Sequence, residues 1–433
     1  MTVHPTITAF LKTLGETQYL SPERLRAYQR RQLARLLAHA RAETDFYTAR
    51  LAPVSRPDGS IDWERWQEIP ILTRPQAQLQ SDALAARNVP AESGGVKISR
   101  SSGSTGHRLE YRSSEIQLWA SACANERNFD WHGIDAAKPT ALIWSGDEND
   151  NVSRQPSVSK GWRIAHPESI ACLLNIRNPV AAQIAWLEQT RPAYLSTYPT
   201  NLREICRVAR EEGKTLAFEA VMTHGEMSTE ETRREITDYF GRAPIDSYGA
   251  AEAGFVAASC PVGSGHHVAA DLVLIEIVRE DGNLAEPEEE GRIVATPFYA
   301  FAMPLIRYDT GDWGKLSEGP CPCGRCLPVL GRILGRARNM FRFSDGSRIW
   351  PLLVSAEIQK YVPHRQFQAV QTTPELIEYR YVPIDSALPI DKEGLTAYAR
   401  RNLNPNVEIV PIAVAEIERS IGGKYEDYIS LVT

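Results

Sequence analysis

The chain has 433 residues, 43% of them hydrophobic and 24% charged. That is the composition of a globular protein of two to four structural units at ~150 residues each, and it excludes a disordered or fibrous polypeptide. Forty-eight basic residues against 54 acidic ones leave a formal charge of −6, so no global positive excess draws nucleic acid. No run approaches the ~20 continuous apolar residues of a membrane helix. The opening MTVHPTITAF lacks the basic start and apolar stretch of a secretory leader, so the expected compartment is the cytoplasm, with neither nucleic acid nor membrane as partner.

Residues 1–95 read as mostly helical. Ser21 followed by Pro22 is an N-cap with a first-turn proline, and Leu25, Leu33, Leu36 and Leu37 recur near helical spacing among arginines, which predicts an amphipathic packing helix. From about residue 96 to 335, short apolar runs alternate with helical stretches: TALIW at 140–144, AYLSTY at 193–198, AVMTHG at 220–225 and IDSYG at 245–249. Such alternation predicts an α/β domain with a mainly parallel sheet. Between the last two runs, Ser228 and Glu231 match a capping box for a helix ending at Gly241. DLVLIEIVRE and GRIVATPFYA, separated by an acidic turn-rich segment, predict two strands of a β-rich subdomain over 260–330. After GRILGR at 331–336 comes a tail with its own strand and helix signals, EYRYVPI and EGLTAYARRNL, so a boundary is expected near 336.

Seven cysteines is an odd count, and Cys321, Cys323 and Cys326 crowd into CPCGRC, while Cys123, Cys172 and Cys206 are scattered. In a reducing compartment such crowding points to metal before disulfide. Cys260 and His267 precede that cluster. Together with Cys321 and Cys323 they offer thiolates and an imidazole for a closed, structural, tetrahedral zinc site, in which His266 or Cys326 could substitute.

The sharpest local signal is Ser99-Arg100-Ser101-Ser102-Gly103-Ser104-Thr105-Gly106. Glycines let backbone approach an anion closely, and hydroxyls and successive N–H groups can donate to phosphate oxygens. The Walker pattern GxxxxGK[ST] is absent from this loop, so a kinase or ATPase of that type is not indicated. Taken alone the run is more often a flexible loop than a phosphate site. Four further segments stand after it: Tyr248-Gly249-Ala250-Ala251-Glu252, Ile306-Arg307-Tyr308-Asp309-Thr310-Gly311-Asp312, GRILGRARNM with DGSRIWP at 345–351, and Ser420-Ile421-Gly422-Gly423-Lys424; by themselves Glu252 reads as an exposed glutamate, Asp312 as the cap of a turn and Lys424 as a solvated turn lysine. Their joint occurrence in this order decides for function.

In these segments the sequence resembles the adenylate-forming superfamily, and most of all its phenylacetate-CoA ligase branch, across roughly residues 20–430. The resemblance implies an α/β fold: a large N-terminal adenylation domain, 1–335, and a small, mobile α+β C-terminal lid, 336–433. It further implies ATP and Mg²⁺ as cofactors. Ser101, Ser102, Gly103, Ser104, Thr105 and Gly106 would form the phosphate loop, and Glu252 would hold magnesium. Tyr248 and Gly249, with Gly225 and Glu226, would lie by adenine, Asp312 and Arg336 would fix the ribose, and Lys424 would be the lysine used in adenylation. The zinc set Cys260, His267, Cys321 and Cys323 also matches an arrangement in some members of the branch.

The expected reaction is adenylation of a carboxylic acid, aromatic by expectation, to acyl-AMP and pyrophosphate. Transfer to a nucleophile follows, by default CoA; an amine, a carrier protein or release of the adenylate are the alternatives, and a homodimer is an admissible assembly. Three departures stand against the family pattern. His107 occupies a place where the loop often has lysine, Ala251 a place that commonly holds Thr or Ser, and Arg338 and Asn339 the place of paired aspartates. They motivate a second reading, a non-catalytic nucleotide- and zinc-binding homologue. Trp119, Phe129, Trp131, Trp144 and Tyr198 fall where the branch builds its acyl pocket, although such aromatics are commonly core residues. His132, His166 and His224 read as packing or polar residues rather than catalytic bases.

Overall fold

Helix Pro22–Glu43 begins as its sequence predicts: the Ser21 hydroxyl accepts from the Arg24 N–H, and Pro22 opens the first turn. It buries Leu33, Leu36 and Leu37 in a cluster with Phe298, Met303 and Tyr308, so the helical N-terminal part is seated on the sheet that follows. The computed structural model describes residues 2–101, 109–145, 155–351, 353–419 and 423–432. Ser102, Gly103, Ser104, Thr105, Gly106, His107 and Arg108, and also Ser420, Ile421 and Gly422, lie outside the described residues.

A two-stranded ribbon, β1 (Val96–Arg100) and β2 (Glu110–Ser114), precedes the main sheet. The main-sheet strands are β3 (Thr140–Trp144), β4 (Ser157–Lys160), β5 (Ile170–Asn175), β6 (Tyr194–Thr197), β7 (Ala220–His224), β8 (Ile245–Ala250), β9 (Gly254–Ser259), β10 (His266–Val268), β11 (Val273–Val278), β12 (Gly291–Pro297), β13 (Tyr308–Leu316) and β14 (Val329–Arg336). Among the described residues they form one twelve-stranded sheet in the order β11-β12-β13-β14-β10-β9-β8-β7-β6-β3-β5-β4. β5, β3, β6, β7 and β8 run parallel, as the alternating pattern predicts. From β8 onward each pairing is antiparallel. The β-rich stretch therefore continues the same sheet, because β10 stitches β9 to β14.

Helices Val180–Thr190 and Pro199–Glu211 cover the parallel half through Ile184, Leu187, Leu202 and Ile205. Helix Glu230–Phe240 ends on Gly241 in the left-handed conformation as expected, but it starts one residue later than the sequence suggests. Thr229, not Ser228, is the N-cap, accepting from the Thr232 N–H, while Ser228 lines a cleft. Helix Glu115–Trp131 forms a buried ion pair with Asp271, before β11, and both partners hydrogen-bond the N-terminal helix Pro5–Thr17. Arg127 donates to Asp271 at 2.6 and 3.2 Å and to the Leu14 carbonyl, and Thr17 donates to the same carboxylate.

Beyond Arg336 the chain builds a short ribbon, β15 (Phe341–Arg342) and β16 (Arg348–Ile349). A second sheet follows, in the order β19-β18-β17-β20: β17 (His364–Thr373), β18 (Leu376–Pro383), β19 (Glu408–Ala413) and β20 (Tyr428–Ser430). With helix Lys392–Asn402 it encloses its own core of Phe341, Phe367, Tyr379, Leu395 and Tyr428. No helix of the described residues is long and apolar enough to cross a membrane.

Candidate functional site

A cleft of about 550 Å³ opens between the carboxyl ends of β7 and β8, the β13–β14 hairpin and the C-terminal segment 424–428. This is the edge of a parallel sheet at which α/β proteins receive ligands. Glu252, Asp312, Arg336 and Lys424, far apart in the chain, line it together with Gly225, Glu226, Tyr248, Gly249 and Ser101. The sequence-predicted nucleotide residues within the described part are thus brought into one cavity.

Glu252 follows β8, with its side chain 3% exposed. Its Oε1 accepts from Arg74 Nη1 at 2.8 Å and from the Tyr308 hydroxyl at 2.5 Å. Arg74 also donates through Nη2 to the Ser101 hydroxyl at 2.6 Å. Ser101 and Leu109 close the base of the Ser/Gly loop by two hydrogen bonds: the Ser101 N–H donates to the Leu109 carbonyl, and the Leu109 N–H donates to the Ser101 hydroxyl. Arg74 therefore bridges the root of the phosphate-type loop and the candidate magnesium carboxylate. Sequence reasoning missed it; the only local signal is a charged residue inside the Thr73–Gln76 capping box of a short helix.

Tyr248 and Asp312 meet across the cleft, the phenol donating to Oδ2 at 2.8 Å. Asp312 and Arg336 are cross-strand partners on β13 and β14, with Nε 3.9 Å from Oδ1. Burial raises the Asp312 carboxyl above its usual range, against the opposing pull of Arg336 and the Tyr248 hydrogen bond. Gly249 is required here: a Cβ would lie 2.6 Å from the Gly254 carbonyl of the adjacent strand. Gly225 sits at φ +79°, and a Cβ there would meet the Tyr198 ring at 3.2 Å and Lys424 Cε at 3.6 Å, which places the Lys424 stem directly over this turn. Burial, then the charge of Arg336, push the Lys424 ammonium down from its ordinary pKa. Of the other motif residues, Arg307 turns away into the core, where it pairs with Glu276 and donates to the Gln67 and Ile69 carbonyls.

A second cluster adjoins the cleft. Cys260, His267, Cys321 and Cys323 place their ligand atoms within 4.8 Å of one another. A tetrahedral ion with ~2.3 Å bonds to sulfur holds its sulfurs about 3.8 Å apart; Cys260 and Cys321 Sγ are 3.6 Å apart, and His267 Nε2 is 3.1 Å from Cys323 Sγ. The Val262 and Gly263 N–H groups donate to Cys260 Sγ, and His267 Nδ1 donates to the Leu327 carbonyl, which aims Nε2 at the sulfurs. Three thiols and an imidazole so arranged fit zinc. His266 faces the other side of its strand, 2.9 Å from Asp246, and Cys326 is exposed outside the group, so neither alternative ligand joins the cluster.

The aromatics proposed for an acyl pocket separate. Trp119 packs on His4, Phe129 on Trp162, and Trp131 beside His267 under Arg325. Trp144 ends β3 and Tyr198 follows β6, with the Tyr198 ring against His224. His224 is held neutral, its pKa pushed down to about 4 by burial and then by Lys424.

No family model matches the chain. It is 24% identical to the phenylacetate-coenzyme A ligase of Thermus thermophilus over 451 aligned positions, covering 96% of this chain and 98% of that protein. It is 29% identical to the phenylacetate-coenzyme A ligase of Escherichia coli over 147 positions, covering 32% and 33%. Among solved structures it resembles 2-hydroxyisobutyryl-CoA ligase in the postadenylation state with 2-HIB-AMP, with a TM-score of 0.77, 18% identity and coverage of 96% and 91%. For the same ligase in its open conformation the TM-score is 0.63 at 17% identity, over 96% of this chain and 93% of that one. In its thioesterification state it is 0.64 at 18%, over 96% and 92%. ATP-bound MatB from Rhodopseudomonas palustris matches with a TM-score of 0.53 at 17% identity, over 75% of this chain and 65% of that one. The fold is that of these proteins.

Proposed function

We propose, for a chain that has the fold of the adenylate-forming superfamily and resembles its phenylacetate-CoA ligase branch, that it is an AMP-forming acid ligase. A carboxylate oxygen of the acid attacks the α-phosphorus of ATP and pyrophosphate leaves; the CoA thiol then takes the acyl group from the resulting acyl-AMP, and AMP and the thiol proton are released. The observation that carries this reading is the convergence of Glu252, Asp312, Arg336 and Lys424 on one cleft at the carboxyl edge of a parallel sheet. No single segment requires that convergence; a nucleotide spanning them does.

The roles follow from chemistry. Asp312 is a half-buried acceptor beside Tyr248, suited to paired ribose hydroxyls. Glu252 offers carboxylate oxygen, the donor magnesium takes; the metal would supply charge neutralisation along the phosphates. Lys424 brings a compact cation to the place where negative charge grows at the α-phosphate. Much of the catalysis is then positioning and electrostatics. The acid is an aromatic carboxylate in this reading, for which the Tyr198 ring, packed beside Gly225 at the margin of the cleft, would offer a flat wall. Zinc would be held by Cys260, His267, Cys321 and Cys323 and would be structural in this reading, since three thiolates and an imidazole would make up the four ligands of a closed site. Unpaired thiols throughout fit a cytoplasmic setting.

We also assign residues 1–335 to the adenylating body and 336–433 to a lid turning about 336–340. The higher TM-score to the postadenylation form than to the open and thioesterification forms supports this: with Lys424 in the cleft, the lid stands as it would for the first half-reaction. The test is a panel of aryl and aliphatic acids in pyrophosphate exchange into ATP, with mass detection of acyl-AMP and acyl-CoA. Acid-dependent exchange, abolished by Lys424→Ala, is the expected result. Nucleotide binding without exchange by any acid would replace the ligase with a binding protein, and unchanged exchange in Lys424→Ala would remove that lysine from the reaction.

A further inference from the structure

We propose that Glu226 is a positioning residue which, together with Thr200 and Arg419, clamps the two peptide units flanking Lys424 and so places this lysine for acyl-adenylate formation. The inference rests on the ligase reading above and adds to it the device that seats the lysine.

The Glu226 side chain is 3% exposed. Its Oε1 accepts from the Tyr425 N–H at 2.6 Å, and its Oε2 accepts from the Thr200 N–H at 3.2 Å and the Thr200 hydroxyl at 2.7 Å. Arg419 Nη1 lies 3.8 Å from Oε1 and donates to the Thr200 hydroxyl at 3.3 Å and to the Gly423 carbonyl at 3.2 Å. The N–H of the residue after Lys424 and the C=O of the residue before it are therefore both held by one cluster. Both carboxylate oxygens of Glu226 are engaged by protein, one by the lysine segment and one by Thr200.

The anchor has a stable half and a detachable half. Thr200 lies in the first turn of helix Pro199–Glu211, where free N–H groups and the helix dipole favour a carboxylate irrespective of the lid. The Tyr425 bond to Glu226 and the Arg419 contacts to Thr200 and Glu226 cross from the C-terminal segment to the body and break whenever that segment departs, whereas the Arg419 bond to the Gly423 carbonyl lies within the segment and shapes it. Burial and Arg336 both oppose a charged Lys424 in the cleft, and backbone anchoring on either side supplies an opposing term. A second contact of the same segment, Arg203 to Asp427 at 3.5 Å, acts three residues further on.

The experiment compares half-reactions in Glu226→Gln and Arg419→Met, using phenylacetate or whichever panel acid the unmodified protein adenylates fastest. Acid-dependent pyrophosphate exchange should fall about 30-fold in Glu226→Gln and about 10-fold in Arg419→Met. Thioester formation from supplied acyl-AMP and CoA should stay within about 3-fold, because the lysine is withdrawn for that step. Amide hydrogen exchange at Tyr425 should rise at least about 10-fold in Glu226→Gln, a readout that needs no activity. Unchanged Tyr425 exchange, unchanged pyrophosphate exchange, or equal loss in both half-reactions each overturns the clamp. An unmodified protein that adenylates no acid refutes the ligase reading instead, with the Tyr425 amide still reporting on the anchor.

Discussion

Arg74 offers the sharpest perturbation of the cleft, because one guanidinium joins two groups given separate tasks. Replacing it with glutamine removes the 2.8 Å bond to Glu252 and the 2.6 Å bond to the Ser101 hydroxyl. Hydrogen bonds to charged groups are worth about 1.5–3 kcal/mol each. Arg74 is 27% exposed, although Glu252 is only 3% exposed, so screening argues for the lower bound. Two bonds at that bound give about 3 kcal/mol, or roughly 100-fold in kcat/KM for ATP if both contacts persist in the nucleotide complex. Arg74→Lys keeps the charge but not the fork, serves one partner at a time, and should lose about 10-fold. The assay is acid-dependent pyrophosphate exchange with ATP varied, read beside direct binding of ATP and AMP. Since Ser101 roots the loop expected to hold the outer phosphates, ATP binding should weaken while AMP binding stays within about 3-fold. A change below about 3-fold in kcat/KM for a folded Arg74→Gln, or equal losses for ATP and AMP, would refute the bridging role.

Three further predictions concern metal, stability and pH. Cys323→Ser removes a sulfur 3.1 Å from His267 Nε2, and zinc retained after chelating resin should fall from about one equivalent to below about a tenth by elemental analysis; equal metal content in the two proteins would sink the four-ligand site. Arg127→Met leaves the fully buried Asp271 with Thr17 as its remaining described side-chain donor, at a cost of about 3–5 kcal/mol in urea unfolding; Arg127→Met with Asp271→Leu should recover most of it, and a loss under about 1 kcal/mol would refute the pair's importance. His224 stays neutral when folded down to about pH 4 but takes a proton near pH 6.5 when unfolded, so its contribution is present above pH 6.5 and is lost as pH falls toward 4. Between pH 7 and 5 the unmodified protein should lose about 2 kcal/mol more than His224→Asn, and parallel stability curves for the two would contradict the burial of a neutral ring beside Lys424.

The parts of this molecule legible in its sequence are those decided by local physics. TALIW, AYLSTY, AVMTHG and IDSYG each became a strand, because short apolar runs bounded by turn residues have little else to form once both faces are buried. Pairing is another matter: the segment from 268 announces strands but not neighbours, and only the joint β9–β10–β14 register merges it with the parallel half. Adjacent histidines illustrate the same limit on a smaller scale. His266 and His267 are equivalent as residue types, yet successive strand side chains point to opposite faces, and that alternation sends one to Asp246 and the other to the sulfurs.

The cleft divides along the same line. Glu252, Asp312 and Lys424 are legible because each sits in a short, ordered motif. Arg74 and Arg419 are not, because what they do is defined by partners 178 and 219 residues away, Glu252 and Thr200. Glu226 combines the two cases. Its glycine-glutamate pair is visible as a motif, but its partner, the Tyr425 N–H, belongs to a segment that reaches it only when the second sheet is seated on the first. A residue whose task is to hold another segment in place has no local pattern of its own to obey, since its backbone surroundings are satisfied whether or not the partner arrives. Loss at such positions should therefore separate the two half-reactions, whereas loss at the motif residues should abolish the first outright.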